Sequence, residues 1–171
     1  MRKIILLGYM GSGKSAIAKK LSELLDLECF DLDESIEEFE KLNIKDIFKL
    51  KGEIYFRKKE HELLNYFVNC NKEFVLSLGG GTPCYADNHL IFQNEDVISI
   101  YLKTSINELF LRLSGNSSNR PLIAMLDDED LKEFIAKQLF ERSYFYHFAK
   151  HIVNTDNKSV DDIVQEIKKL I

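Results

Sequence analysis

A glycine-rich segment near the N-terminus constrains the fold of this chain more than any other feature. Residues 8–15 read Gly-Tyr-Met-Gly-Ser-Gly-Lys-Ser and match the pattern G-x4-G-K-[ST]. The apolar run 4–7 precedes this segment, and from Ile17 to Leu25 apolar residues recur at helical spacing. The segment therefore lies between a predicted strand and a predicted helix, which is the context in which this pattern binds phosphate.

The loop residues have distinct expected tasks. The glycines let successive backbone N–H groups point at phosphate oxygens, and the helix that follows adds its positive N-terminal end. Lys14 is expected to reach the β and γ phosphates, and the Ser15 hydroxyl is expected to bind Mg²⁺. The predicted nucleotide contacts in this segment are Gly11, Ser12, Gly13, Lys14, Ser15 and Ala16.

Short apolar runs alternate with helical segments along the rest of the chain. Strands are predicted at 28–31, 74–78, 97–102 and 151–154, and the stretch 34–70 is predicted to be mostly helical with breaks near Asn43 and Gly52. Nearly continuous apolar strands separated by helices indicate a parallel sheet covered on both faces. The fold class is therefore α/β, and 171 residues predict a single domain over 1–171.

Composition argues against several classes of protein. The formal net charge is -5, whereas proteins that bind nucleic acid by releasing counterions are usually basic. Three cysteines without a close pair suggest neither a disulfide framework nor a zinc site. No apolar run reaches the length of a signal-peptide core or a membrane span, so we expect a soluble, cytoplasmic protein that binds neither nucleic acid nor membrane.

Two carboxylates follow the second predicted strand, in the sequence Phe30-Asp31-Leu32-Asp33. Ligands of open α/β sheets bind at the carboxyl ends of the strands, and strand alternation would send Asp31 and Asp33 to the same side. One carboxylate could hold Mg²⁺ through water, and the other could accept the proton of an acceptor hydroxyl. The alternative is that Asp33 only caps the next helix.

Two further features could bind an acceptor. Arg57 and Glu60 lie three residues apart in a helical stretch. Arg57, held by Glu60, could form a two-pronged contact with a carboxylate of the ligand. Alternatively, the two residues could form an ion pair on the surface. Gly79, Gly80 and Gly81 follow a predicted strand and could form a plain turn or let backbone N–H groups approach a small ligand.

A polar loop lies between residues 114 and 119 and ends at Arg120-Pro121. Its composition is typical of a mobile lid, and an arginine on a lid can move onto a transferring phosphoryl group. Arg142 lies on a predicted helix, and composition alone does not separate a site residue there from a solvated one.

Taken together, these segments resemble the shikimate kinase family, in the nucleoside-monophosphate-kinase branch of P-loop proteins. The motifs occur in the family's order from residue 8 to residue 146. They are the phosphate loop 8–15, Phe30-Asp-Leu-Asp33, Phe56-Arg-Lys-Lys-Glu60, Leu78-Gly-Gly-Gly81, Arg120-Pro-Leu122 and Arg142-Ser-Tyr-Phe-Tyr146.

The resemblance implies a three-layer fold with a five-stranded parallel sheet, a substrate-binding helical region at about 33–62 and a lid at about 112–126. It implies transfer of the γ-phosphate of ATP to the 3-hydroxyl of shikimate, with Mg²⁺ as cofactor. Its implied catalytic residues are Lys14, Asp33 and Arg120. The residues that would bind the substrate are Asp33, Arg57, Gly79, Gly80, Gly81 and Arg142. ATP would also be bound by Arg112, which would lie against adenine, and by Arg120. The metal would be bound by Ser15 and, through water, by Asp31. A small chain of this charge is also expected to be monomeric.

Two alternatives remain open from the sequence. A related small-molecule kinase, such as a gluconate or nucleotide kinase, would share the phosphate loop but need a different acceptor pocket. A P-loop protein that hydrolyses nucleotide to switch a partner would turn over without an acceptor, and Asp33, Arg57 and Gly80 would then have no role.

Overall fold

The computed structural model describes residues 2–114 and 126–171. Five strands lie in this part of the chain: β1 Lys3–Leu7, β2 Glu28–Asp31, β3 Phe74–Ser77, β4 Val97–Lys103 and β5 His151–Asn154. They form one parallel sheet in the order β2-β3-β1-β4-β5. The predicted α/β class and the five-stranded parallel sheet are confirmed, and every predicted strand agrees to within one residue at each end.

The helices follow the predicted pattern. They are α1 Lys14–Leu25, α2 Leu32–Glu40, α3 Ile44–Lys51, α4 Glu53–Asn69, α5 Ile106–Ser114, α6 Asp128–Tyr146 and α7 Val160–Lys168, with short 3-10 helices at Thr82–Cys84 and Asn88–Gln93. The predicted helical region 33–62 comprises α2, α3 and the first part of α4. Its two breaks lie where predicted, because Asn43 caps α3 and Gly52 separates α3 from α4.

Alternation along β1 divides the core between two layers. Ile4 and Leu6 pack with α1 and α7 on one face of the sheet, and Ile5 and Leu7 pack with the remaining helices on the other. Both sets are fully buried, as expected for a central strand covered on two sides. The result is a three-layer arrangement in which the carboxyl ends of all strands share one edge.

One geometric prediction was wrong. Strand alternation was expected to send Asp31 and Asp33 to the same side, but it does not extend to Asp33, because β2 ends at Asp31 as predicted and α2 begins at Leu32. The Asp31 side chain accepts a hydrogen bond from the Asp33 backbone N–H at 3.0 Å and thereby caps the helix. Asp31 is thus the capping residue, and the alternative reading of Asp33 as the cap was also wrong.

The predicted lid, about residues 112–126, has its central part outside the described residues, and Arg120 lies there. Residues 112–114 form the last turn of α5. The mobility of this segment and the role of Arg120 therefore stay predictions.

Candidate active site

The phosphate loop joins β1 to α1 at the centre of the sheet edge. Gly13 stands at the N-cap of α1 with φ of 93°, a left-handed conformation that favours glycine. At Gly8, a Cβ atom would lie 2.8 Å from the Leu102 carbonyl oxygen, so the close approach of β4 requires the absence of a side chain. The first and third glycines of the loop therefore have structural reasons independent of phosphate binding.

Lys14 is buried at the centre of the loop. Its Nζ donates hydrogen bonds to the carbonyl oxygens of Gly8 at 2.9 Å and Tyr9 at 3.0 Å. These bonds hold the ammonium group inside the curve of the loop, beside the N-terminus of α1. A positive charge and a helix N-terminus are thus directed at one place, which suits a polyphosphate.

Ser15 and Asp31, the two predicted metal-binding residues, lie together. The Ser15 hydroxyl donates to Asp31 Oδ2 at 3.1 Å. Among residues 2–114 and 126–171 no group of three or more His, Cys, Asp and Glu side chains is arranged to hold a metal. One hydroxyl and one carboxylate nevertheless fit Mg²⁺, which commonly keeps several waters and takes other ligands from substrate phosphates.

Asp33 lies in the first turn of α2, largely buried against the glycine run. The pKa of its carboxyl is raised from 3.8 to about 6, first because burial penalises the charged form and then because the carboxylates of Asp31 and Glu60 are close. Lys14 and Arg57 act in the opposite direction. A carboxylate that is still mostly ionised at neutral pH but more basic than usual suits proton transfer from a hydroxyl.

Arg57 and Glu60 form a partly buried ion pair on α4. Arg57 Nη1 donates to Glu60 Oε2 at 2.9 Å, and Glu60 is 1% exposed. Glu53 lies on the outer side, 3.4 Å from Arg57 Nε. The alternative of a solvated surface pair was therefore wrong, since Glu60 is among the most buried charged residues that the structure describes.

Each glycine of the run 79–81 lies against a different functional side chain. A Cβ atom at Gly79 would stand 2.9 Å from Asp33 Oδ1, one at Gly80 3.5 Å from Arg142 Nη1, and one at Gly81 3.1 Å from Arg57 Nη2. None of the three has a positive φ. Close approach, and not turn conformation, is thus the physical reason for glycine at positions 79 and 81, whereas a Cβ atom at Gly80 would make only ordinary contacts.

Gly80 also touches the phosphate loop. A Cβ atom there would lie 3.4 Å from the Met10 backbone nitrogen and 3.5 Å from the Gly8 carbonyl oxygen. The phosphate loop and Arg142 therefore approach the same position beside Gly80.

Arg142 extends from the last turns of α6 toward this glycine. Its guanidinium carbon lies 5.6 Å from the centre of the Tyr9 ring. One helical turn further on, the Tyr146 hydroxyl donates to the Gly80 carbonyl oxygen at 2.7 Å. Burial raises the pKa of Tyr146 far above its usual range, so the hydroxyl remains a donor. Arg142 is half-buried and faces Gly80 and the Tyr9 ring, so it does not lie on a fully solvated helix face.

Arg112 links three parts of the site. Its guanidinium donates to the carbonyl oxygens of Gly11 at 3.3 Å, Ser12 at 3.4 Å and Thr155 at 3.1 Å, while Glu108 accepts from Nε at 2.9 Å. This places the arginine between the phosphate loop and the turn after β5. Its contact with adenine stays a prediction.

The sequence did not indicate three residues that the structure adds. Thr82 donates its hydroxyl to Glu60 Oε1 at 2.6 Å, the Tyr85 ring lies 4.1 Å from the Arg57 guanidinium carbon, and Tyr146 bonds to Gly80. Only Tyr146 had a usable signal, since it lies one helical turn after Arg142.

Comparisons with known proteins decide the family. The family model described as shikimate kinase matches residues 10–171. A shikimate kinase of Flavobacterium johnsoniae is 52% identical over 171 residues, covering 100% of this chain and 99% of the relative. The chain belongs to the shikimate kinase family. A second relative, the shikimate kinase of Flavobacterium psychrophilum, is 50% identical over 171 residues, with the same coverage of both chains.

Solved structures of shikimate kinases share the fold. The enzyme of Bacteroides thetaiotaomicron superposes with a TM-score of 0.89 at 33% identity, over 99% of this chain and 97% of that one. The enzyme of Acinetobacter baumannii, described in complex with shikimate, gives a TM-score of 0.86 at 31% identity, over 98% and 91% of the two chains. The predicted family, P-loop kinase fold and enzyme class, an ATP-dependent phosphotransferase with an alcohol acceptor, are confirmed.

Proposed function

We propose that this shikimate kinase family member transfers the γ-phosphate of ATP to the 3-hydroxyl of shikimate, giving shikimate 3-phosphate and ADP. The observation that carries the proposal is the approach of the phosphate loop and of Arg142 Nη1 to one position beside Gly80. A phosphate donor on the loop and an acceptor held through its carboxylate by the arginine would then occupy neighbouring sites, which allows a hydroxyl of the acceptor to meet the γ-phosphate. The relatives named shikimate kinase support the choice of acceptor.

The acceptor's carboxylate is bound by two arginines in this proposal. Arg57 approaches Gly81 and Arg142 approaches Gly80, so adjacent glycines open the space in which both guanidinium groups reach one ligand. A planar guanidinium can make two parallel hydrogen bonds to a carboxylate, which fixes both position and orientation. The Gly80 backbone N–H is a third donor in the proposal.

Asp33 orients the acceptor hydroxyl and receives its proton at a carboxylate oxygen. It lies against Gly79, next to the two glycines that face the arginines. Its raised pKa makes it a better proton acceptor than an exposed aspartate. The transition state of phosphoryl transfer needs little base strength, so orientation is the larger part of its task.

The loop side binds the polyphosphate. Backbone N–H groups of residues 11–16 and the Lys14 ammonium face the β and γ phosphates, and Arg120 is proposed to reach the transferring group. Mg²⁺, held by the Ser15 hydroxyl and through water by Asp31, would supply neutralisation of the phosphate charge. The hydrogen bond between Ser15 and Asp31 supports this pairing.

We further propose that the protein acts as a cytoplasmic monomer on these two small molecules. Within the described ranges, no helix is long and apolar enough to cross a membrane. The net charge of -5 argues against nucleic acid as a partner.

The test is ADP release from MgATP with shikimate, quinate, gluconate, AMP or no acceptor. Shikimate is expected to stimulate release at least a hundredfold over the acceptor-free rate, with a product phosphorylated at position 3 by phosphorus–proton coupling. Equal rates with and without shikimate would rule out the proposal. Stimulation by gluconate or AMP alone would move the chain to a related kinase.

A further inference from the structure

The segment that follows the glycine run contacts both members of the Arg57–Glu60 pair. It comprises residues 82–88, from the first 3-10 helix to the start of the second. Thr82 and Asn88 in this segment are completely buried, whereas Tyr85 is 40% exposed. An inference about this segment rests on the proposed function, because it concerns how Arg57 is held for the acceptor's carboxylate.

Thr82 completes the environment of Glu60. One carboxylate oxygen of Glu60 accepts from Arg57 at 2.9 Å, and the other accepts from the Thr82 hydroxyl at 2.6 Å. With both oxygens engaged, the carboxylate cannot rotate about its last bond without breaking a buried hydrogen bond. The plane of Glu60 is fixed, and with it the direction in which Arg57 Nη1 points.

Thr82 is itself held in place. Its backbone N–H donates to the Gly79 carbonyl oxygen at 3.1 Å, and its own carbonyl oxygen accepts from Asn88 Nδ2 at 2.9 Å. Asn88 Oδ1 lies 2.7 Å from His61 Nδ1, which returns the chain of contacts to α4 one residue after Glu60. The backbone of the threonine is therefore held on both sides, which keeps its hydroxyl within reach of the carboxylate.

Tyr85 holds Arg57 from another direction. The guanidinium carbon lies 4.1 Å from the centre of the Tyr85 ring and 5.1 Å from that of Phe56, so both rings are within cation–π range. Ala86 and Asp87 follow with φ of 49° and 56°, two successive non-glycine residues in the left-handed region. Such strain persists only where the surroundings impose it, and it commonly accompanies a functional constraint.

We infer that Thr82 and Tyr85 are positioning residues for the acceptor, which act through Arg57. Thr82 fixes the guanidinium within its plane by way of Glu60, and Tyr85 restrains movement out of that plane. An arginine restrained in both senses loses less conformational freedom when it binds a carboxylate. The restraint lowers the KM for the carboxylate-bearing substrate and leaves nucleotide binding unaffected.

Two pairs of variants test this. Thr82→Val and Tyr85→Leu each remove one restraint, and we expect each to raise the KM for shikimate about tenfold, which corresponds to about 1.4 kcal/mol. The KM for ATP should stay within twofold. The conservative variants Thr82→Ser and Tyr85→Phe retain the hydroxyl and the ring, and should bring the KM for shikimate back to within about threefold of wild type.

A matched control separates positioning from loss of stability. Ser99→Ala removes another fully buried hydroxyl, which lies on β4 outside the proposed site. This hydroxyl donates to the Phe92 carbonyl oxygen at 3.1 Å. The substitution is expected to lower Tm as Thr82→Val does and to leave the KM for shikimate unchanged. Tyr85→Leu changes an exposed residue, so it keeps the inference testable even if Thr82→Val does not fold.

A double-mutant cycle tests whether Thr82 and Tyr85 act through Arg57. In an Arg57→Ala background, Thr82→Val and Tyr85→Leu should have no further effect on the KM for shikimate, because the side chain they restrain is gone. The methyl ester of shikimate, which lacks the negative charge, should show the same absence of effect. Full additivity in the Arg57→Ala background, or an unchanged KM in both single variants, would overturn the inference. If wild type does not phosphorylate shikimate at all, the proposed function fails instead.

Discussion

Replacing Asp33 by asparagine should make the protein more stable and nearly inactive. The pKa of Asp33 is raised from 3.8 to about 6, chiefly by burial and then by the neighbouring carboxylates Asp31 and Glu60. A raised pKa means that the folded state holds the proton more tightly than the unfolded state does. The ionised side chain therefore destabilises the folded protein at neutral pH, and an uncharged amide of the same shape removes that cost.

The magnitude follows from the two pKa values. At 1.36 kcal/mol for each pH unit between them, the cost is about 3 kcal/mol above pH 6, and partial access of solvent reduces the expected gain to about 2 kcal/mol. As pH falls through 6 the folded state takes up its proton, so the gain shrinks to about half near pH 5 and disappears toward pH 4, where the unfolded side chain is also protonated. For a chain of this length, about 2 kcal/mol corresponds to a rise in Tm of roughly 4 to 8 °C.

The assay is urea denaturation of wild type and Asp33→Asn at pH 8 and pH 5, combined with coupled ADP release. Turnover should fall at least a hundredfold, since proton acceptance and hydroxyl orientation are both lost. Asp96→Asn is the control, because Asp96 is exposed on the loop before β4 and should change neither stability nor turnover. No gain in stability at pH 8, or an equal gain at pH 5 and pH 8, would refute the reasoning that a buried charge is the cause.

Two other substitutions test the arginines. Arg142→Lys should raise the KM for shikimate at least tenfold and leave kcat within about threefold, because an ammonium cannot form a two-pronged contact with a carboxylate. The control Arg2→Lys changes an exposed residue and should alter neither constant. Equal kinetics for both variants would remove Arg142 from the site. Gly81→Ala places a Cβ atom 3.1 Å from Arg57 Nη2 without backbone strain. Steady-state kinetics should therefore show a KM for shikimate about tenfold higher and an unchanged KM for ATP. An unaltered KM for shikimate would contradict the close-approach role of this glycine.

Sequence patterns that span only a few residues predicted the boundaries of strands and helices well. The boundaries of β2 and β5 match the predicted residues, and Asn43 caps α3 at a predicted break in the helical stretch. Each of these features depends on residues within one or two turns of each other. Local chemistry therefore decides them, and no knowledge of the distant chain is needed.

The prediction that applied strand alternation to a residue beyond the end of β2 was wrong. Alternation would have placed Asp31 and Asp33 on one side of a strand, but the carboxylate of Asp31 captures the Asp33 N–H and starts a helix. Helix capping thus overrides strand geometry at this position. Both side chains still take part in the candidate site, because the turn brings them to the same sheet edge by another path.

Contacts between distant parts of the chain could not be predicted from the residues alone. Thr82 meets Glu60 across 22 positions, and Tyr146 meets Gly80 across 66. Neither Thr82 nor Tyr85 belongs to a periodic pattern or a motif with fixed spacing. Their contacts with Glu60 and Arg57 become visible only in the folded protein, where the segment after β3 lies against α4.

The arginines of the site differ in how far their charge is already neutralised. Arg57 pairs with Glu60 and Glu53, and Arg112 pairs with Glu108. Among the residues that the structure describes, no carboxylate lies within salt-bridge distance of Arg142, which instead faces the Tyr9 ring and Gly80. Arg142 therefore offers the larger net attraction to an anionic acceptor, whereas Arg57, held by Glu60 and by residues 82–88, offers the more rigid geometry. In the proposed function, one arginine would attract the carboxylate and the other would orient it, so the two arginines would have distinct tasks.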